Sequence, residues 1–199
     1  MKHSCDLCAD PRVTPLIEFG AHPIAHHFLT DPAQAEYTHP VTLGFCESCG
    51  LTQLIDPAPP EKFYTDYNWL SSWKWNPHVP GLVAEIERLP GLTKASPIFE
   101  VGSNDGTFLA ALRERGFTKQ LGLEPALDAV TAARKRGVET VHAYFTPAEA
   151  RKLAASFGQC DLFITRQVLE HVKNLREYAE AMRMMLRPGA HVEIGRAHV

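Results

Sequence analysis

The chain has 199 residues, of which 45% are hydrophobic and 22% charged, with a formal net charge of −3. That length supports one large core or a small module joined to a larger one, and the composition is that of a globular protein. No run approaches the roughly 20 apolar residues needed to cross a bilayer, so no membrane span is expected. Residues 1–90 set eleven acidic side chains against five basic ones. This is the wrong sign for a face that neutralises phosphates, so nucleic acid is not an expected partner.

In chain order, Met1-Lys2-His3-Ser4-Cys5 lacks the apolar stretch of a secretory signal, which makes the cytoplasm the expected compartment. Thiols there stay reduced. Four of the five cysteines form two pairs, Cys5-Asp6-Leu7-Cys8 and Cys46-Glu47-Ser48-Cys49, while Cys160 stands alone. Each pair puts two thiolates on one tight turn, and two such turns can close a tetrahedral four-sulfur site. A small acidic module with little core gains stability when metal binding is coupled to folding, so Cys5, Cys8, Cys46 and Cys49 are expected to hold a structural Zn2+. The spacing does not separate zinc from a four-thiolate iron site. Gly50 lets the chain turn back after the second pair. Four apolar buried cysteines are the bland alternative. His22, His26 and His27 read as surface or packing residues, and Cys160 as a small buried residue before a core strand.

Residues 1–57 otherwise read as short strands and loops, including Pro15 to Phe19 and Val41 to Phe45. Asp56-Pro57-Ala58-Pro59-Pro60 is a stiff break and places the end of the first module at residue 57. Residues 58–96 form a connector, aromatic from Phe63 through Trp75, followed by an amphipathic helix from Pro80 to Leu89. From residue 97 to 192 strands alternate with helices. The strands are Ile98 to Val101, Leu121 to Glu124, Glu139 to His142, Asp161 to Thr165 and one opened by His191-Val192. The helices run from Thr107 to Arg115, Ala126 to Arg136, Pro147 to Phe157 and Asn174 to Leu186, with a turn at Arg187-Pro188-Gly189. Such alternation implies an α/β fold, a doubly wound Rossmann-like parallel sheet, incomplete at its end and preceded by the cysteine-rich module. Residues 193–199 are set apart: Ile194 to Val199, with Glu193 at the margin, reads as the translation of a sequencing adapter.

The central motif is Glu100-Val101-Gly102-Ser103-Asn104-Asp105-Gly106, a strand running into a glycine turn and a helix. Gly102 and Gly106 allow close approach of a ligand at the carboxyl end of the first strand, where open α/β sheets bind their ligands. The dinucleotide pattern would need glycine where Asn104 stands, and Asp105 would repel a pyrophosphate. An acidic loop suits a ligand bearing a sulfonium and an ammonium group, which favours S-adenosyl-L-methionine over a nicotinamide cofactor. Glu124 ends the second strand, where a carboxylate can accept both ribose hydroxyls. Arg166-Gln167 ends the fourth strand at the same edge. His171, five residues on, reads as packing or capping rather than as a base.

These residues resemble class I S-adenosylmethionine methyltransferases with an N-terminal zinc-binding domain, typified by sugar C-methyltransferases acting on nucleotide-linked deoxysugars. The likeness covers residues 5 to about 192. It rests on Cys49-Gly50-Leu51-Thr52-Gln53-Leu54, on Phe63-Tyr64-Thr65-Asp66-Tyr67 with Ser71-Ser72, on the glycine loop, on Leu123-Glu124-Pro125 and on Arg166 to His171. The resemblance implies that Glu100, Gly102, Asn104, Asp105, Gly106, Glu124, Arg166 and Gln167 line the cofactor, that Phe145 flanks its adenine, and that Tyr67 and Ser72 close over it. It also implies a small-molecule acceptor, a nucleotide-sugar. Trp69 stands where the family usually has a second tyrosine, and the family's Tyr, Glu and His segment for deprotonating the sugar is not in this sequence. No residue here is therefore assigned as the catalytic base, and no oligomeric state follows. The other readings are a zinc-ribbon RNA methyltransferase, which the acidic first half disfavours, and a non-catalytic zinc-module interaction protein.

Overall fold

The computed structural model describes residues 4–24, 29, 31–59, 62, 70 and 76–195. They belong to two compact units, Met1–Asn68 and Trp69–Val199.

The first unit is a three-stranded antiparallel sheet of β1 (Val13–Pro23), β2 (Thr38–Cys46) and β3 (Thr52–Ile55) in the order β1-β2-β3. Its register pairs Val13 with Cys46, so the cysteine turn leading into β1 meets the cysteine turn leaving β2. Pro15 cannot donate to the ladder, and the pairing shifts between Pro15 and Ile17 and again between Glu18 and Gly20. Of the eleven side chains of β1, all but Val13 are exposed, so this sheet builds little core of its own. The buried apolar residues described here are Cys5, Ile24, Cys46 and Ala58.

The second unit is a five-stranded parallel sheet in the order β6-β5-β4-β7-β8. Its strands are β4 (Ile98–Val101), β5 (Gln120–Glu124), β6 (Thr140–His142), β7 (Cys160–Arg166) and β8 (Leu186–Gly195). The helices are α1 (Val79–Ile86), α2 (Thr107–Glu114), α3 (Leu127–Lys135), α4 (Pro147–Ser156) and α5 (Leu175–Met185). Strand alternation decides which helices cover which face. Ile98, Leu162 and Ile164 pack with Val83, Ile86, Phe108, Leu109, Leu112 and Ala133 of α1, α2 and α3. Phe99, Val101, Leu121, Leu123 and Phe163 pack with Ala150, Leu153, Tyr178, Ala181 and Met185 of α4 and α5. With both faces covered, the strands are near-continuous apolar runs, as parallel sheets require. The winding reverses at β4: β5 and β6 lie to one side, β7 and β8 to the other. Such a switch point opens a crevice at the carboxyl ends of the strands.

Local chemistry sets the helix starts. Thr146 accepts a hydrogen bond from the Glu149 N–H ahead of Pro147, and Asn174 does the same for Glu177. The expected turn at Arg187-Pro188-Gly189 is instead a bulge inside β8. Pairing jumps from Cys160↔Leu186 to Leu162↔His191, so the extra β8 residues loop out around Gly189, whose φ is 82°. The strand then pairs on to Gly195, opposite Arg166. Among the described residues no helix is long and apolar enough to cross a membrane.

Candidate functional site

In the first unit the four cysteines converge. Cys5 Sγ lies 3.6 Å from Cys49 Sγ and Cys8 Sγ 3.6 Å from Cys46 Sγ, and all four sulfurs lie within 4.8 Å of one another. A tetrahedron of zinc–sulfur bonds about 2.3 Å long has edges of about 3.8 Å, so the donor set fits structural zinc. Backbone geometry shapes each turn: the Ala9 N–H donates to Cys5 O and the Gly50 N–H to Cys46 O, with Ala9 at φ 60° and Gly50 at φ 77°. Hydrogen bonds from the backbone of Cys49 and, against burial, of Ser48 bring the Cys46 thiol down to about 7, while its neighbours Cys8 and Cys49 are pushed up, so that without metal the cluster favours a single thiolate at Cys46.

Side-chain hydrogen bonds tie the first cysteine turn to β3 and to the second cysteine turn. Gln53 Oε1 accepts from the Asp6 N–H at 2.9 Å. Asp10 accepts from Arg12 and from Ser48 Oγ, which sits between Cys46 and Cys49; these partners, Arg12 first, hold its carboxyl well below the usual range. Sequence reasoning saw Gln53 only as part of a motif, because its partner is 47 residues away. His22 is exposed, with its Nε2 on Phe19 O; His26 and His27 lie outside the described residues.

In the second unit the loop after β4 and the end of β5 meet. Glu124 is buried, and each carboxylate oxygen accepts one backbone N–H at 2.9 Å: Oε2 from Asn104 and Oε1 from Ala126. A carboxylate has about four acceptor positions, so two remain, the number a vicinal diol needs. Burial pushes the Glu124 carboxyl up; the Ala126 and Asn104 N–H groups partly offset this, while Asp128 and Glu100 add to it. Asn104 adopts φ 52°, a conformation that asparagine tolerates better than most side chains and that a glycine would otherwise supply. Gly102, at φ 67°, is pressed by the loop after β7: a Cβ there would meet Val168 Cγ2 at 2.5 Å.

Asp105 and Gly106 serve the loop itself. Asp105 Oδ1 accepts from the N–H and Oγ1 of Thr107, at the start of α2, and Oδ2 pairs with Arg136 at 3.5 Å. Arg136 Nε also donates to Asp105 O, a partner 31 residues away that no local pattern announced. Thr107 and Arg136 thus offset part of the Asp105 charge within the loop. Gly106, at φ 73°, leaves no room for a Cβ beside Val138 and Ala133. Ser103 is buried against Gly122, where a Cβ would collide with its Oγ.

Arg166 and Glu100 form a sheltered pair across the ends of β7 and β4. Arg166 donates from Nε at 3.0 Å and from Nη2 at 2.7 Å to the same oxygen, Glu100 Oε1. The guanidinium also stacks 3.8 Å from the centroid of Phe108. Burial raises the Glu100 carboxyl and Arg166 opposes that rise. Gln167 is exposed at φ 55°, its N–H on Gly195 O. Phe145 is half-buried and packs on Phe99, Phe163 and Tyr178, with centroids 5.2–5.8 Å apart. His171, read from sequence as packing, is exposed on a 3-10 turn, Leu169–His171. Cys160 is buried, as expected, and its thiol donates to Met185 O. Tyr67 and Ser72 lie outside the described residues.

A doubly wound parallel sheet with a glycine loop at its switch point and a strand-end carboxylate beneath it defines an α/β fold of the nucleotide-cofactor-binding kind. More particularly, residues 75–196 match the model of a methyltransferase domain family, and the chain belongs to that family. Residues 5–64 match the model of a zinc binding domain family. The chain is 28% identical over 188 residues to the C-methyltransferase NovU of Streptomyces niveus, covering 92% of this chain and 44% of that protein; it thus spans less than half the length of this curated relative. Among solved structures, an S-adenosyl-L-methionine-dependent methyltransferase from Methanococcus maripaludis shares the fold at a TM-score of 0.50 and 16% identity, over 61% of this chain and 56% of that one. The plantazolicin methyltransferase BpumL, solved with S-adenosylhomocysteine and a pentazolic desmethylPZN analogue, does so at 0.50 and 12%, over 60% and 45%.

Proposed function

We propose that this protein is an S-adenosyl-L-methionine-dependent methyltransferase whose acceptor is a small molecule, a carbon of a nucleotide-linked deoxysugar being the class best supported. The observation that carries the reading is the meeting of Glu124 with the β4–α2 loop, inside a segment that matches a methyltransferase domain family. The NovU relative, named as a C-methyltransferase, supports the carbon acceptor.

S-adenosylmethionine supplies a methyl group activated on a sulfonium. In this reading the chain's own residues bind and orient. Glu124 accepts the ribose hydroxyls with its two remaining lone pairs, while its hold on Asn104 keeps the loop in register. Gly102 lets the loop pass against Val168, where a side chain would not fit. Phe145 offers a ring edge beside β6 for the adenine. Holding donor and acceptor in line supplies much of the acceleration in such a transfer, and C-methylation also needs a proton removed beside a carbonyl. The cysteine module serves as a zinc-held structural unit.

Calorimetric titration of the zinc-loaded chain with S-adenosylhomocysteine, and separately with NAD, tests this. Binding of the first without the second is expected. Binding of NAD alone, or of neither to a folded sample, overturns the reading.

A further inference from the structure

Arg166 has donors to spare in a place where a ligand can reach them. Its Nε and Nη2 both converge on Glu100 Oε1, and Nη1 has no partner among the described residues. The side chain is 19% exposed while that of Glu100 is fully buried. It is also held still: Phe108 lies under the guanidinium. A fixed guanidinium with a free edge is suited to a planar oxyanion.

Its position narrows the ligand. Arg166 closes β7 on one side of β4, and Glu124 closes β5 on the other. Neighbouring strands run about 4.8 Å apart, so a ligand touching both must lie across the end of β4, over the glycine loop. A molecule with a ribose at one end and a carboxylate at the other has that form. Glu100 already neutralises much of the Arg166 charge, which suits a monoanionic carboxylate better than the doubly charged diphosphate of a nucleotide-sugar.

We propose that Arg166, braced by Glu100 and Phe108, takes the α-carboxylate of the cofactor's amino-acid end. This rests on the reading of the edge as an S-adenosylmethionine site and deepens it. Glu100 then acts as a positioning residue: its buried carboxylate sets the orientation of the guanidinium and does not touch the ligand.

The test compares three ligands that differ only at that end, namely S-adenosylhomocysteine, its decarboxylated amine and 5′-methylthioadenosine, by calorimetry on the zinc-loaded full chain. Wild type is expected to bind S-adenosylhomocysteine roughly 10- to 100-fold more tightly than the decarboxylated amine, the range for a hydrogen bond between charged groups. In Arg166→Met that preference disappears while the affinity for methylthioadenosine is kept. Because this variant leaves Glu100 buried without its partner, the double variant Arg166→Met with Glu100→Gln removes the stranded charge and is expected to show the same loss. Glu100→Gln alone, with Arg166 present but less firmly braced, is expected to shrink the preference without abolishing it. Equal wild-type affinity for all three ligands overturns the carboxylate assignment and leaves the adenosyl site standing. A uniform drop for all three ligands in both Met variants overturns it as well, since that is what a merely structural Arg166 would give. No binding of any of the three by folded wild type overturns the assignment together with the reading beneath it.

Discussion

In the proposed site Glu124 would hold the loop and accept the ribose with one carboxylate, and its behaviour with pH separates the two tasks. Its pKa is raised in the folded protein by burial. A raised carboxyl contributes stability that is fully present below the ordinary value of about 4.3 and is lost as pH rises through the folded value. Glu124→Gln should therefore remove a loss of stability that wild type suffers as pH rises above about 4.3, so that the variant's stability rises more steeply with pH there, read by chemical denaturation at a series of pH values. The ionised form is the better acceptor for ribose hydroxyls, so affinity for S-adenosylhomocysteine should fall on acidification at a pH above the ordinary carboxylate range, and Glu124→Gln should bind weakly throughout. A wild-type affinity that is level down to pH 4 would contradict this. Gln53 makes a different prediction. Its Oε1 anchors the Asp6 N–H inside the first cysteine turn, and outer partners of metal ligands commonly account for 10- to 100-fold in metal affinity. Gln53→Ala should lose zinc to a competing chelator about tenfold more readily, whereas Gln53→Glu, which keeps the acceptor, should lie close to wild type.

At the scale of elements, the β4–α2 turn is tightly constrained at Gly106. Gly106 combines φ 73° with contacts that a Cβ would make at 2.9 Å to Val138 and 3.2 Å to Ala133. Gly106→Ala should destabilise this unit by about 1–3 kcal/mol, from backbone strain and overpacking together, as measured by urea unfolding. A change below about 0.5 kcal/mol would show that α2 shifts without penalty. The strands and helices of the sheet were legible because each signal is local: apolar runs for strands covered on both faces, proline at helix starts, glycine after them. The glycine loop and the strand-end acid that marked the candidate ligand edge do meet in the fold, with the Asn104 N–H on Glu124 Oε2. What stayed hidden was long-range. Nothing near Asp105 says that Arg136 will neutralise it, and nothing near Arg166 says that Phe108 and Gly195 will flank it. The turn expected at Pro188-Gly189 is a bulge because pairing resumes beyond it at His191, a fact of the partner strand rather than of the local residues.

For the whole molecule, the two units have different sources of stability. The apolar clusters around α1–α5 lie entirely within the second unit, whereas the first has few buried apolar residues and a four-thiolate site. Removal of zinc by a strong chelator should therefore collapse hydrogen-exchange protection in β1–β3 while that of β4, β5 and β7 persists. Unchanged protection in β1–β3 would show that this sheet does not depend on metal. The central claim concerns the carboxyl edge of the second sheet, and the most direct measurement is a crystal structure of the chain grown with S-adenosylhomocysteine. The account predicts the ligand across the end of β4, with its ribose hydroxyls on Glu124 and its carboxylate on Arg166. A ligand bound elsewhere, or a ribose that leaves Glu124 untouched, would contradict it.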